Sequence, residues 1–409
     1  MNILLVNHYA GNPSLGMEYR PYYFARAWQE QGHRVYIVAA SFAHLRFKQI
    51  PVDSDFDQKI LDGISYIILK TPPYHGNTVK RIINMLSFIR RLYQYEKWLP
   101  ADFKPDVVIA SSTYTLEIFP LKKIADKLKA KLIFEVHDLW PLSPIELGGY
   151  SRYHPYILLM QYAENYAYKY CAATVSLLPM ALEHMQAHGL PPDRFYHIPN
   201  GIRVEDWQQP TDLPEPHQSC IKNLKEQRTF LVCYTGSFGI ANALDCFIRA
   251  AKEVADKNIH FILVGDGPQK TQLTNIAEEE LIRNCTILPR VPKNIMPVLL
   301  SKMDVLYASF QRQSLFRFGI SPNKIMDYMM AGKPIIQAID AGNDMISDAR
   351  CGITVEPENV IAVADAVIQL YRMGENERKM LGENGKKYVI ANHDYKILAS
   401  RFIEILAQS

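Results

Sequence analysis

A chain of 409 residues is too long for one ordinary hydrophobic core and suits two domains of roughly 200 residues each. With 48% hydrophobic and 21% charged residues it has the composition of a folded soluble protein, and a net charge of +3 excludes a nucleic-acid binder that works without a local basic patch. Six cysteines, at 171, 220, 233, 246, 285 and 351, show no C-x-x-C spacing, so no zinc or redox motif is visible and buried free thiols are expected.

The first residues, Met1 to Tyr9, lack a basic start, and their apolar run is too short for a signal peptide. No run of eighteen apolar residues follows, so the expected location is the cytoplasm. Ile3 to Val6 reads as a strand buried on both faces. A loop containing Gly16, a helix from about Glu18 to Gln31 and a strand from Val35 to Ala39 complete a β-loop-α-β unit. The loop is not G-x-G-x-x-G, but it lies where open α/β sheets bind ligands. Asp53, Asp55 and Asp57 lack the Gly and the terminal Glu of a calcium loop and read as a solvated stretch. Ile64 to Leu69 is a further strand.

Thr78 to Leu99 predicts an unusual helix. Ile82, Met85, Leu86, Ile89, Leu92 and Tyr93 form one apolar face, while Phe88, Tyr95 and Trp98 fall among Lys80, Arg81, Arg90, Arg91 and Lys97. Basic side chains with exposed aromatics suit an anionic lipid surface. Lys80, Arg81, Phe88, Arg91 and Trp98 are therefore candidate membrane or acceptor contacts. The alternative is a surface helix whose aromatics tuck into neighbouring loops. The strand Lys131 to Val136 ends at His137-Asp138, where His137 can exchange a hydrogen bond with a reacting hydroxyl.

Residues 207–228 hold several prolines and mixed charges without periodicity, and read as a linker. Thr229 to Thr235, then Gly236-Ser237-Phe238-Gly239, then a helix repeat the strand–glycine loop–helix order of the chain's start. Phe261 to Val264 leads into the turn Gly265-Asp266-Gly267-Pro268. Val305 to Ala308 leads towards Gly319-Ile320-Ser321-Pro322, a helix over Asn323 to Met330, and a strand at Ile335-Ile336. Ser321 is a candidate cap, with Pro322 at the first helical position. The helix start offers backbone N–H groups to an anion, Lys324 adds a charge, and Asp327 projects near the same face.

Gly16 with Glu18 and Arg20, Glu135 to Pro141, Ile198-Pro199-Asn200-Gly201, Gly265 to Pro268, Ser321 to Met329 and Ala331 to Pro334 stand in an order that resembles the retaining glycosyltransferases of family 4. The likeness covers nearly the whole chain and lies nearest the bacterial surface-polysaccharide branch that includes N-acetylfucosamine-type transferases. It implies an α/β fold of GT-B type, with two Rossmann-like doubly wound domains facing a central cleft. The domains implied are 1–206 on the acceptor side, a linker at 207–228, a donor domain at 229–385, and a C-terminal helix at 386–409 packing back on the first domain. It further implies a nucleoside diphosphate sugar donor, UDP-linked, a lipid-linked saccharide acceptor, no cofactor and no metal. His137 and Lys324 take the catalytic roles. Gly16, Gly236, Ser237, Gly265, Val291, Ser321, Asn323 and Asp327 bind donor, with Asp327 on the ribose.

Three departures stand out. The first Glu of the family's E-x(7)-E is Gly319, and the Arg and Lys after the second domain's first strand fall at Ser237 and Ala243. Lys324 is the candidate replacement cation, with Arg312 and Arg317 behind it. A non-catalytic partner subunit and a nucleotide-sugar 2-epimerase are the rival readings.

Overall fold

The apolar runs become two parallel sheets. The structure, a computed structural model, describes residues 1–76, 78–208 and 211–408. Gln209 and Pro210 of the expected linker, and Ser409 at the end of the expected C-terminal helix, lie outside the described residues. Two compact units emerge, Met1–Pro199 with Tyr395–Ser409, and Asn200–Asp394.

The strands of the first unit are β1 (Asn2–Val6), β2 (Arg34–Ala40), β3 (Phe56–Leu61), β4 (Ile64–Leu69), β5 (Val107–Ala110), β6 (Lys131–Val136), β7 (Ala173–Ser176) and β8 (Phe195–His197). Their order is β3-β4-β2-β1-β5-β6-β7-β8, and every pair is parallel except β3 with β4. The second unit holds β9 (Phe230–Ser237), β10 (Ile259–Asp266), β11 (Cys285–Leu288), β12 (Val305–Ser309), β13 (Ile335–Ala338) and β14 (Gly352–Val355), ordered β11-β10-β9-β12-β13-β14 and all parallel. Both sheets contain the doubly wound sequence in which the first strand sits beside the fourth parallel one, which is β5 in the first unit once the antiparallel β3 is set aside and β12 in the second. The order reverses between β1 and β5, and again between β9 and β12. The carboxyl ends of these strands are therefore where each unit can receive a ligand.

Covering helices require strands buried on both sides, which is why β1, β5 and β12 read as unbroken apolar runs. Two clusters flank the second sheet, one around Leu231, Cys233 and Met326, the other around Val232, Tyr234 and Phe247.

The domain borders differ from those expected. The segment 207–228 contains the helix His217–Glu226, whose Ile221 is buried in the second unit's core and whose His217 Nε2 meets the Pro289 carbonyl at 2.8 Å. Clustered prolines at 214 and 216 hid a short amphipathic helix. At the C-terminus, the helix Glu375–His393 stays with the second unit, and only Tyr395–Gln408 belongs to the first. There Tyr395 stacks on Tyr23 at 4.9 Å, Phe402 lies edge-on to Phe24 and Trp28, and Trp28 Nε1 donates to the Ala399 carbonyl.

The terminal helix thus completes a core rather than decorating it. Phe402→Ala is expected to destabilise the first unit by about 3–5 kcal/mol. A urea titration followed by fluorescence checks this, and an unchanged midpoint would remove the helix from that core.

Candidate active site

In the first unit, β6 carries Glu135 and ends at His137. Strand alternation places these two side chains on the same face. Glu135 is buried and pairs with Arg20 Nε at 2.9 Å. Arg20 also donates to the carbonyls of Pro199 (2.6 Å) and Ile198 (2.8 Å), which ties the helix Arg20–Glu30 to the Ile198-Pro199 end of the unit. Burial alone would raise the Glu135 carboxyl. Arg20, His137 and Ser111 outweigh it and hold the carboxyl at about 2.

Ser111 Oγ, at the end of β5, donates to Glu135 Oε2 at 2.5 Å and so accepts from His137 Nε2 at 3.0 Å. Nε2 also stands 3.3 Å from Glu135 Oε2. The tautomer with its proton on Nε2 leaves Nδ1 as an acceptor for a hydroxyl. Glu135, Ser111 and Arg20 received no positioning role from the sequence. The signal was present in Glu135, which lies two residues before His137 in a strand.

Gly16 sits buried at φ 113°, bridged to Asn12 and Arg46. A side chain there would meet the Arg46 and Phe47 backbone at 3.0 Å, and one at Gly11 would meet the Gly16 carbonyl at 2.0 Å. The first loop therefore packs as a doubled turn that only glycine permits.

In the second unit, β9 runs into Gly236 and Ser237. Gly265, in β10, lies beside them, since a Cβ there would come within 1.9 Å of the Gly236 carbonyl. The helix Asn323–Met330 sends Lys324 over this loop. Its ammonium donates to Tyr234 Oη at 2.9 Å and Asn242 Oδ1 at 2.8 Å, and sits 4.4 Å from the centre of the Tyr234 ring. Both hydrogen-bond partners are neutral oxygens, and no carboxylate pairs with Lys324 among the described residues. Loss of hydration brings its pKa from 10.5 down to about 7. Lys324 thus reaches the Ser237–Ala243 segment, where the two expected cations are absent from the sequence.

Asp327 is buried three residues on, and both its oxygens are held by Lys293 Nζ, Oδ1 at 2.5 Å. Burial raises the carboxyl and Lys293 opposes that. Nothing in the sequence marked Lys293. Val291, two residues before it, is buried at the same loop.

Two expectations need correcting here. Ser321 does not cap the helix. The cap residue is Pro322, and Ser321 Oγ instead accepts from Asn200 N at 2.8 Å, while the Ser321 carbonyl accepts from Asn200 Nδ2 at 2.7 Å. The I-P-N-G turn has captured the hydroxyl. Nor are all N–H groups of 319–323 open to an anion. Gly319 N bonds the Phe316 carbonyl and Ile320 N bonds Asn343 Oδ1, which leaves Ser321 and Asn323 in that stretch, with Lys324 N next in the helix. Of the weaker cation candidates, Arg312 is spent on Asp340 and Glu356, and Arg317 lies over Phe318 and bonds the Ser314 carbonyl.

The basic helix is also corrected. It spans Val79–Leu92, and its buried face is Asn84, Met85, Phe88 and Leu92. Phe88 is fully buried, packing on His8 at 4.6 Å, and Trp98 is buried with its Nε1 on the Arg91 carbonyl. Arg91 pairs with Asp55. Arg81 is half-buried, and Lys80 is exposed. Val79, Ile82, Ile83 and Leu86 face outward instead. The helix carries two apolar stripes, and periodicity alone could not say which one is covered.

Residues 15–206 match the family described as Glycosyltransferase Family 4, and residues 229–373 match the one described as Glycosyl transferases group 1. With two doubly wound parallel-sheet domains, these matches make the chain a glycosyltransferase of the GT-B fold. Among curated relatives it is 21% identical to a protein of Escherichia coli (strain K12) assigned as the colanic acid biosynthesis glycosyl transferase WcaI, over 83% of this chain and 84% of that one. Among solved structures it is similar to sucrose-phosphate synthase from Thermosynechococcus elongatus, at a TM-score of 0.74 and 15% identity, over 100% of this chain and 98% of that one. It is also similar to Anabaena HepE in complex with UDP and glucose, at a TM-score of 0.68 and 14% identity over the full length of both. Among the described residues no helix is long and apolar enough to cross a membrane.

The Arg20–Glu135 pair is the electrostatic anchor of the first unit's site. Glu135 has a folded pKa below its ordinary value, so its contribution is present above about pH 4.5 and is lost as pH falls towards 2. Glu135→Gln is expected to cost about 3–5 kcal/mol at pH 7, because it strands a buried guanidinium, and to flatten the acid limb of the stability curve. Chemical denaturation at stepped pH checks both, and an acid limb as steep as the wild type's would contradict the pairing.

Proposed function

We propose that this glycosyltransferase moves a sugar from a UDP-linked donor to a lipid-linked saccharide in surface polysaccharide synthesis, with retention at the anomeric carbon. The observation that carries the reading is the half-buried, carboxylate-free Lys324 ammonium over the Gly236 loop. An ammonium desolvated against neutral oxygens is poorly compensated, and a pyrophosphate supplies the missing charge. HepE, solved with UDP and glucose, supports the nucleotide, and the name of WcaI supports polysaccharide synthesis.

In this reading the leaving group's charge is met by Lys324 and by the N–H groups of Ser321, Asn323 and Lys324. Gly236, Ser237 and Gly265 let backbone approach the diphosphate, and Val291 borders the base. Asp327, steadied by Lys293, accepts from the ribose hydroxyls. In the first unit Gly16 is the candidate for donor approach, and His137 Nδ1 the acceptor for a sugar hydroxyl, while Glu135 and Ser111 fix the ring. The leaving phosphate itself takes the proton of the incoming hydroxyl, so neither a protein base nor a metal is invoked.

Lys324→Ala is expected to lower transfer by at least ~10²-fold with a melting temperature no lower than the wild type's. UDP release with a panel of UDP-sugars and lipid acceptors measures it. Protonation of Lys324 precedes anion binding, so UDP affinity should fall about tenfold per pH unit above 7. Wild-type turnover in the variant would remove Lys324 from the mechanism. A wild-type protein that binds UDP-sugar but never releases UDP would favour the non-catalytic partner subunit.

The acceptor's lipid calls for a membrane-facing surface, and we assign it to the outward stripe Val79, Ile82, Ile83 and Leu86 beside Lys80 and Arg90. Co-sedimentation with phosphatidylglycerol vesicles is expected to drop at least ~10-fold in Ile83→Glu/Leu86→Glu. Equal sedimentation of variant and wild type would rule the stripe out.

A further inference from the structure

Away from the site, the helices Pro155–Tyr170 and Leu182–Ala187 of the first unit face each other through a set of nitrogen and oxygen ligands. Glu164 lies on the first helix. His184 lies on the second, and His188 caps it one turn later. One ligand atom from each of these three residues falls within 4.8 Å of the other two. Glu164 is buried, and His184 Nε2 stands 3.7 Å from Glu164 Oε1.

The hydrogen bonding around Gln161 gives a second, independent observation. Its Nε2 points at three acceptors, Glu164 Oε2 at 2.7 Å, Asn165 Oδ1 at 2.8 Å and His188 Nδ1 at 2.9 Å. An amide nitrogen has two hydrogens, so it cannot serve all three. Turning the amide over would set an oxygen against a carboxylate. Gln161 therefore shares its two hydrogens among three acceptors, two of them on the ligand residues Glu164 and His188. Tyr168 Oη donates to Glu164 Oε1 at 2.9 Å and fixes the carboxylate from behind, as an outer partner of a metal ligand does.

We infer that Glu164, His184 and His188 form a binding site for one zinc ion that pins the helix Pro155–Tyr170 to the helix Leu182–Ala187. Two imidazoles and one carboxylate suit Zn²⁺ over Mg²⁺ or Ca²⁺, which prefer oxygen alone. The fourth position goes to water. This use is structural, and it is separate from sugar transfer, which needs no metal in the mechanism above. The i, i+4 spacing of His184 and His188 presents both rings on one side of a turn.

The test uses the untagged full chain, stripped with chelator and dialysed. On addition of ZnCl₂, wild type is expected to bind one equivalent by chromophoric-chelator competition and to gain about 5 °C in melting temperature at a hundredfold excess over Kd. MgCl₂ should give no shift. His184→Gln/His188→Gln should lose the bound equivalent and the shift. Glu164→Gln, which keeps the Tyr168 contact, should weaken binding at least tenfold. A wild-type chain that binds no zinc and melts unchanged would overturn the site without recourse to any variant. So would equal binding by the double histidine variant.

Discussion

The second unit's candidate site depends on a cation left without a carboxylate partner among the described residues. Lys324 could have been satisfied by a neighbouring carboxylate, as Arg20 is by Glu135 and Lys293 is by Asp327. Instead its partners are a phenol and an amide oxygen, over the glycine loop at the carboxyl end of β9. An uncompensated, partly desolvated ammonium is costly to the apo protein. Its position becomes favourable once an anion enters. The two other pairs are closed, hold geometry and have little charge to offer, so in the proposed reaction the leaving diphosphate would fall to Lys324.

That assignment also accounts for the chain's departures from its resemblance. Gly319 stands where an acid is expected, and its φ of 89° makes it the left-handed turn residue that ends the Ser314–Phe318 segment. Ser237 and Ala243 lack the expected cations, yet Lys324 arrives at the same loop from the following helix. In the proposed reaction one charge approaching from the helix side would take the place of two on the loop. Asp327 keeps its carboxylate, now supported by Lys293 from the loop after β11.

The sheets were legible in the sequence because buried parallel strands are continuous apolar runs, and the placement of His137 after a strand, and of Lys324 and Asp327 in the helix after the 319–322 turn, followed from the same runs and breakers. Whatever depended on choosing between two equivalent faces was not legible. The helix Val79–Leu92 has apolar residues on both sides, and burial fell to Phe88 and Met85, with Trp98 tucked in beyond the helix end, rather than to Ile82 and Leu86. Partners remote in sequence were hidden as well. Lys293 and Asp327 are brought together by tertiary packing alone, as are Asn200 and Ser321. The helix His217–Glu226 was masked by prolines that start it rather than forbid it.

The most direct test is to measure the pKa of Lys324 itself, by following its side-chain resonances in lysine-labelled protein, assigned with Lys324→Arg, through a pH titration with and without UDP. The expected value is about 7 in the free protein, rising by more than one unit when UDP is bound. A free value near the ordinary 10.5, unmoved by UDP, would contradict it.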